Sequence, residues 1–171
     1  QISKMKFKKF LIIKTFFIFI ISQLFFNISK ANAAEEIKIV YNIFSRTVKV
    51  NSLKIFAEQG DSTKNLRRIL EATGSSDKEI RSVLNKDFEI PITIASKLVY
   101  SEIGNVFLSR LSSIIHPPRA DDERTGMLAL RASVIQGIYL GNGKINMINF
   151  FEGYPTKTII LDVNALSKVM N

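Results

Sequence analysis

His116 is the sole histidine of this 171-residue chain and so the first place to look for a catalytic base. Serine hydrolysis needs a hydroxyl sharpened by an imidazole. Ser62, Ser101 and Ser133 are the hydroxyls to test against it. No G-x-S-x-G occurs, so the strand-to-helix nucleophile elbow of α/β-hydrolases has no candidate. Asp121, Asp122 and Glu123 follow His116 closely, and imidazole with carboxylates can ligate a metal. Their spacing in HPPRADDERTG is irregular and rich in proline, which favours a solvated loop. LGNGKIN is no phosphate loop either. That loop needs glycine where Ile138 stands, and serine or threonine where Ile145 stands. No catalytic residue, metal ligand or cofactor is expected.

The stretch QGDSTK, Gln59 to Lys64, carries the G-D-S triplet of a second kind of esterase. Such a serine follows a strand and takes its histidine from near the C-terminus. Here the triplet follows a helical pattern, and no histidine lies beyond His116. A glycine helix stop followed by a helix cap at Asp61 or Ser62 accounts for it. Arg131 is more informative. It interrupts MLALRASVIQGIY, the most apolar helical segment, where a guanidinium must find a carboxylate or carbonyls. Glu102 and Glu152 are the expected partners of this structural charge.

These residues hang on a mostly helical frame. EEIKIVYNIFSRTVKV alternates as a β-hairpin connected through Asn42–Ser45. A helix from Asn51 or Ser52 to Gln59 follows, stopped by Gly60. A second runs through Leu70 to the neighbourhood of Gly74. Ser76 with Glu79 has the spacing of a capping box for a third. Pro91 opens a fourth at its first turn. After a break at Ser101, Ile103, Val106, Phe107, Leu111, Ile114 and Ile115 continue at helical spacing. Pro117 and Pro118 end that run. MLALRASVIQGIY is the expected central buried helix, INMINFF a short one, and TIILDV a strand able to join the N-terminal hairpin. The predicted class is α+β, mainly α: about six to eight short helices with a small antiparallel sheet made of that hairpin and the C-terminal strand.

Ahead of the hairpin, Lys6, Lys8, Lys9 and Lys14 flank the apolar run Thr15–Phe26, and Met5 is the expected start. That run falls short of the about 20 apolar residues of a bilayer span. Ala31-Asn32-Ala33 presents the small residues that signal peptidase needs, which places the cut between Ala33 and Ala34. Residues 1–33 are therefore read as a signal peptide and residues 34–171 as a single domain, in the periplasm or thylakoid lumen. An uncleaved anchor over residues 11–26, with Lys14 snorkelling, is the alternative. The formal charge of +9 is mostly leader. Residues 1–33 hold six of the 24 basic residues and no acid, leaving 18 basic against 15 acidic. With Lys64, Arg67 and Arg68 as the main cluster, there is no concentrated basic face for nucleic acid. Without cysteine, stability rests on packing rather than disulfides.

TVKVNSLKIFAEQG, LALRASVIQGIYL and INFFEGYPTKTIILDV, in that order, resemble a cyanobacterial domain of unknown function. The resemblance spans Glu35 to Val163. It is most specific at Ala129–Ala132 and at Pro155-Thr156 with the alternating strand after them. It implies a domain that follows a signal peptide and either precedes an α/β-hydrolase domain or stands alone. With the chain ending at Asn171, the region of a hydrolase's Ser, Asp and His is expected to be missing, and no catalytic residue carries over.

Three readings follow. The first is an exported, non-catalytic accessory domain that binds a protein partner, such as a hydrolase, or an apolar ligand, with Phe150, Phe151 and Tyr154 as the expected surface. It requires a contiguous exposed apolar patch. The second is a hydrolase component, self-contained only if His116 lies within hydrogen-bond reach of Ser62, Ser101 or Ser133. The third is the same domain tethered to a membrane by residues 11–26.

Overall fold

The computed structural model describes residues 33–119 and 122–170. Ala31 and the segment 11–26 therefore lie outside the described residues. Strands β1 (Glu36–Tyr41) and β2 (Phe44–Lys49) form the hairpin. Their register pairs Tyr41 with Phe44 across a turn in which Asn42 takes a left-handed φ of 52°. Asparagine tolerates that region better than most residues. Helix α1 (Val50–Gln59) follows without a side-chain cap and ends at Gly60, whose φ of 88° suits a residue without Cβ. Thr63, rather than Asp61 or Ser62, caps α2 (Lys64–Ala72) by accepting from the Leu66 amide. Ser76 and Glu79 form a complete capping box at α3 (Asp77–Leu84).

Phe88–Glu89 (β3) precedes Pro91, which opens α4 (Ile92–Val99), and Ser101 caps α5 (Glu102–Ser112). Ile115–His116 then leaves the helix as a short strand, β4. The longest helix, α6 (Glu123–Leu140), is capped by Asp122 and buries Gly126, Ala129, Leu130, Ser133, Gly137 and Ile138. Lys144–Ile145 (β5) pairs with β3, and α7 (Met147–Glu152) leads to β6 (Thr158–Asp162) and α8 (Val163–Met170).

The class is α+β, mainly α, with eight helices among the described residues. The sheet is not wholly antiparallel as expected. Its order is β2-β1-β6-β4, and β6 joins β1 in parallel, with Ile37 opposite Ile159 and Ile39 opposite Leu161. Parallel neighbours need a crossover connection, and the whole helical body from α1 to α7 supplies it. The fourth strand is β4, whose Ile115 pairs with Leu161. Two apolar clusters hold the body together. One gathers Ile37, Val50, Leu108, Leu130, Phe151, Tyr154 and Ile159 around α6. The other gathers Val48, Phe56, Leu66, Leu70 and Ile148 around α1, and the partly buried Ile39 and Leu53 pack against both. Lys54 of α1 donates to Glu152 of α7 at 2.8 Å, which raises the lysine's pKa above its ordinary value.

Candidate functional site

The serine and histidine residues come first. His116 lines an open cleft of about 500 Å³ with Ser109, Ser112, Ser113, Asp122 and Glu123. Its Nδ1 sits 2.9 Å from the Pro117 carbonyl oxygen. A carbonyl only accepts, so Nδ1 carries hydrogen and Nε2 is left as the basic atom. A nucleophile would have to donate to Nε2, and two of the cleft's three serine hydroxyls are engaged elsewhere. Ser112 Oγ donates to the Ser109 carbonyl at 2.7 Å, and Ser113 Oγ to the Arg110 carbonyl at 2.8 Å. Asp122 is turned to α6, where its carboxylate accepts from the Thr125 amide at 2.7 Å. Hydrogen bonds from Thr125 hold that carboxyl below its ordinary pKa.

The three serines singled out in the sequence are elsewhere too. Ser101 Oγ donates to Leu98 O, and the fully buried Ser133 donates to Phe150 O. Ser62 Oγ is buried without a hydrogen-bond partner among the described residues. None of the three is bonded to His116. Among the described residues no three His, Asp or Glu side chains gather as metal ligands, and Asp121 lies outside them.

Arg131 has different partners from those expected. Its Nε donates to the Val99 carbonyl at 2.9 Å, and its Nη2 donates to Asn105 Oδ1. The guanidinium carbon stands 5.1 Å from the centre of the Tyr100 ring, a cation–π distance. Glu152 is committed to Lys54, and Glu102 is exposed in the first turn of α5. Arg131 thus reaches from α6 to clamp the corner between α4 and α5, with its charge at the carbonyl end of α4, where a cation is favoured.

The corner is tight for a second reason. Ser101 Oγ accepts from the Gly104 amide at 3.0 Å while donating to Leu98 O at 2.7 Å. A Cβ at Gly104 would overlap the Leu98 carbonyl oxygen. This geometry turns Ala95, Val99, Gly104, Leu108 and Ser112 inward. It leaves Ile94 and Leu98 of α4, and Ile103, Val106 and Phe107 of α5, facing solvent. Ile103 is 79% exposed and Phe107 63%. The positions 103, 106 and 107 form one stripe at helical spacing. The apolar periodicity read there is real, but the packed face of α5 is the one with Gly104, Leu108 and Ser112.

The expected aromatic surface is corrected by burial. Tyr154 is 0% exposed, Phe151 is buried, and Phe150 packs against the same cluster from a partly buried position. Phe150 meets the other two rings edge-on, at 5.7 and 6.5 Å between centres. These rings fill the space between α7 and α6 and present no docking face. Burial also pushes the Tyr154 phenol pKa up. The exposed apolar side chains are instead those of α4 and α5 named above. Sequence reading missed them because an apolar stripe on a helix carries no mark of which way it faces.

Comparison with known families matches residues 33–162 to the family described as alpha/beta hydrolase of unknown function (DUF1400). The chain belongs to this family. No curated protein and no solved structure matches it. Within this alpha/beta hydrolase family member, the family's name and the geometry diverge. The described sheet has one parallel pair, and no strand is followed by a nucleophile elbow. Among the described residues, what stands out as a site is a surface: the apolar face that Arg131, Ser101 and Gly104 hold in place.

Proposed function

We propose that this domain is an exported, non-catalytic accessory module of the alpha/beta hydrolase family. Its α4–α5 face packs on a hydrolase catalytic module, whether in the same chain or another. The observation that carries the reading is the outward stripe Ile103, Val106 and Phe107, continued on α4 by Ile94 and Leu98. Soluble monomers rarely leave contiguous apolar patches beyond a few hundred Å² uncovered, and those that do use them for binding. Against self-contained catalysis stand the hydroxyls of Ser112 and Ser113, both donated to their own helix.

A cut between Ala33 and Ala34 is supported by the contacts made just after that bond. Ala34 is buried in the main cluster, and the Glu35 amide donates to the Lys157 carbonyl at 2.8 Å. A cut between Ala33 and Ala34 leaves every such contact with the domain. The periplasm or thylakoid lumen is the address of a cleaved protein, and residues 11–26 would tether an uncleaved one. Among the described residues no helix is long and apolar enough to cross a membrane.

A photo-crosslinking side chain at Phe107, in the protein as its own cell envelope holds it, tests the reading. The expected result is a crosslink to a hydrolase catalytic module that is absent when the same group replaces the exposed Lys64. Crosslinks to lipid alone, or ester hydrolysis by the purified protein that His116→Ala abolishes, would overturn it. N-terminal sequencing of the same material reads the leader: Ala34 for cleavage, Met5 for a tether.

A further inference from the structure

A second feature lies at the far end of the sheet, away from α4 and α5. One face of β1 and β2 carries Ile37, Ile39 and Tyr41 against Val48, Arg46 and Phe44, since the register pairs these residues in rows. The first row is core: Ile37, Val48 and the neighbouring Ile159 of β6 are buried. The next row is Arg46, Ile39 and Leu161, and there the cover stops. Helix α2 sends Leu66 and Leu70 into the core. It presents Arg68, Ile69 and Ala72 along the edge of the uncovered floor. The result is a groove of about 600 Å³, floored by Ile39 and Leu161, walled by Ile69 and closed at the tip by Tyr41 and Phe44. That volume is in the range of small-molecule sites.

The charge in it has one sign. Arg46 occupies a position where the period-2 pattern of β2 calls for an apolar side chain, and Arg68 faces it from the helix. No carboxylate lines the groove. Among the described residues neither guanidinium has an ion-pair partner. A planar guanidinium matches a carboxylate or phosphate in a two-point contact. We infer that this groove binds a single-chain amphiphile with an anionic head, the acyl chain along Ile39, Leu161 and Ile69 and the head between Arg46 and Arg68. A free fatty acid and a lysophospholipid share that chemistry. The site is independent of the α4–α5 face, so its failure would leave the accessory reading untouched.

Calorimetric titration of the purified protein with dodecanoate, below its micellar concentration, is the test. Saturable binding of one molecule is expected, with each methylene removed weakening it about fourfold as buried chain is lost. Dodecyltrimethylammonium, with the same tail and the opposite charge, should not bind. Arg46→Gln with Arg68→Gln should weaken dodecanoate at least tenfold at an unchanged melting temperature, because both side chains are exposed. Lauroyl-lysophosphatidylglycerol in parallel tells a phosphate head from a carboxylate one. No saturable binding, equal binding of the cationic amphiphile, or an unchanged affinity in the double variant would each overturn the inference.

Discussion

Replacing Arg131 with methionine removes the clamp on the α4–α5 corner while keeping the length of the side chain. The guanidinium makes a charged hydrogen bond to the Val99 carbonyl, a second to Asn105, and a cation–π contact with Tyr100. A hydrogen bond to a charged group contributes about 1.5–3 kcal/mol. The ring contact adds roughly 0.5–1 kcal/mol at a site of this exposure. Part of that sum is offset, because methionine spares the desolvation of a half-buried cation. A net loss of about 2–3 kcal/mol is expected, or roughly 10 °C in melting temperature for a domain of this size. Arg131→Lys keeps the charge but not the fork, and should recover less than half. Urea and thermal unfolding of the two variants measure this directly. None of the three partners is a carboxylate, so the deficit of the methionine variant should be the same at pH 4 and pH 7. A deficit that shrinks on acidification would mean that Glu102 or Glu152 holds the guanidinium after all. A methionine variant within about 0.5 kcal/mol of the parent would refute the clamp.

Gly104→Ala should cost about 1–3 kcal/mol, because the added methyl meets the Leu98 carbonyl oxygen and the backbone must shift; denaturant unfolding reads it. Tyr154→Phe should leave the domain equally stable or about 1 kcal/mol more stable, since the buried hydroxyl has no partner among the described residues. A loss larger than that in thermal unfolding would reveal one. Hydrogen bonds from the Ser76 amide and hydroxyl lower the Glu79 carboxyl below its ordinary 4.5. A depressed carboxyl contributes stability that is present above the unfolded value and lost as pH falls through the folded one. The Glu79→Gln variant should therefore match the parent's pH dependence above about pH 5 and lose less stability than the parent on acidification below pH 4.5.

Local signals were legible in the sequence, and long-range ones were not. Ser76 with Glu79, Gly60 after Gln59 and the alternation from Ile37 to Tyr41 each name their element, because capping, left-handed φ and strand pleat are decided within a few residues. The direction of β6 against β1 depends on how the helical body returns the chain, and nothing in TIILDV encodes it. Ile114 and Ile115 kept the helical spacing of α5, yet Ile115 is a strand paired with Leu161; the free edge of β6 outweighed the periodicity. Arg131 could be recognised as a residue needing partners. That the partners are a carbonyl, an amide and a ring depends on α4 ending beside α6. The Ser112 and Ser113 hydroxyls illustrate the limit for chemistry: composition puts serines near the histidine, and backbone geometry spends their protons.

The orientation of α5 bears most directly on function. Rolled about its axis by roughly one residue's turn, this helix would bury Ile103 and Phe107 and gain about 1.5–3 kcal/mol for each large apolar side chain fully covered. The same roll would expose the buried Leu108 and the half-buried Leu111, so the hydrophobic effect alone does not choose between the two faces. Three contacts hold it as it is. Gly104 lies against Leu98 O so closely that no side chain fits. Ser112 packs on Gly126 of α6, where a Cβ would come within 2.8 Å of the serine's own. Asn105 accepts from Arg131 at the corner. Glycine at 104 and 126 and serine at 112 permit that close approach; larger residues would push the helices apart and let α5 roll. The helix thus keeps Leu108 inside with Gly104 and Ser112, yet leaves the large Ile103, Val106 and Phe107 in solvent. Such an arrangement is sustained when the outer face is covered by something else, and that is the ground on which Ile103, Val106 and Phe107 are read as a docking face rather than as scattered surface residues.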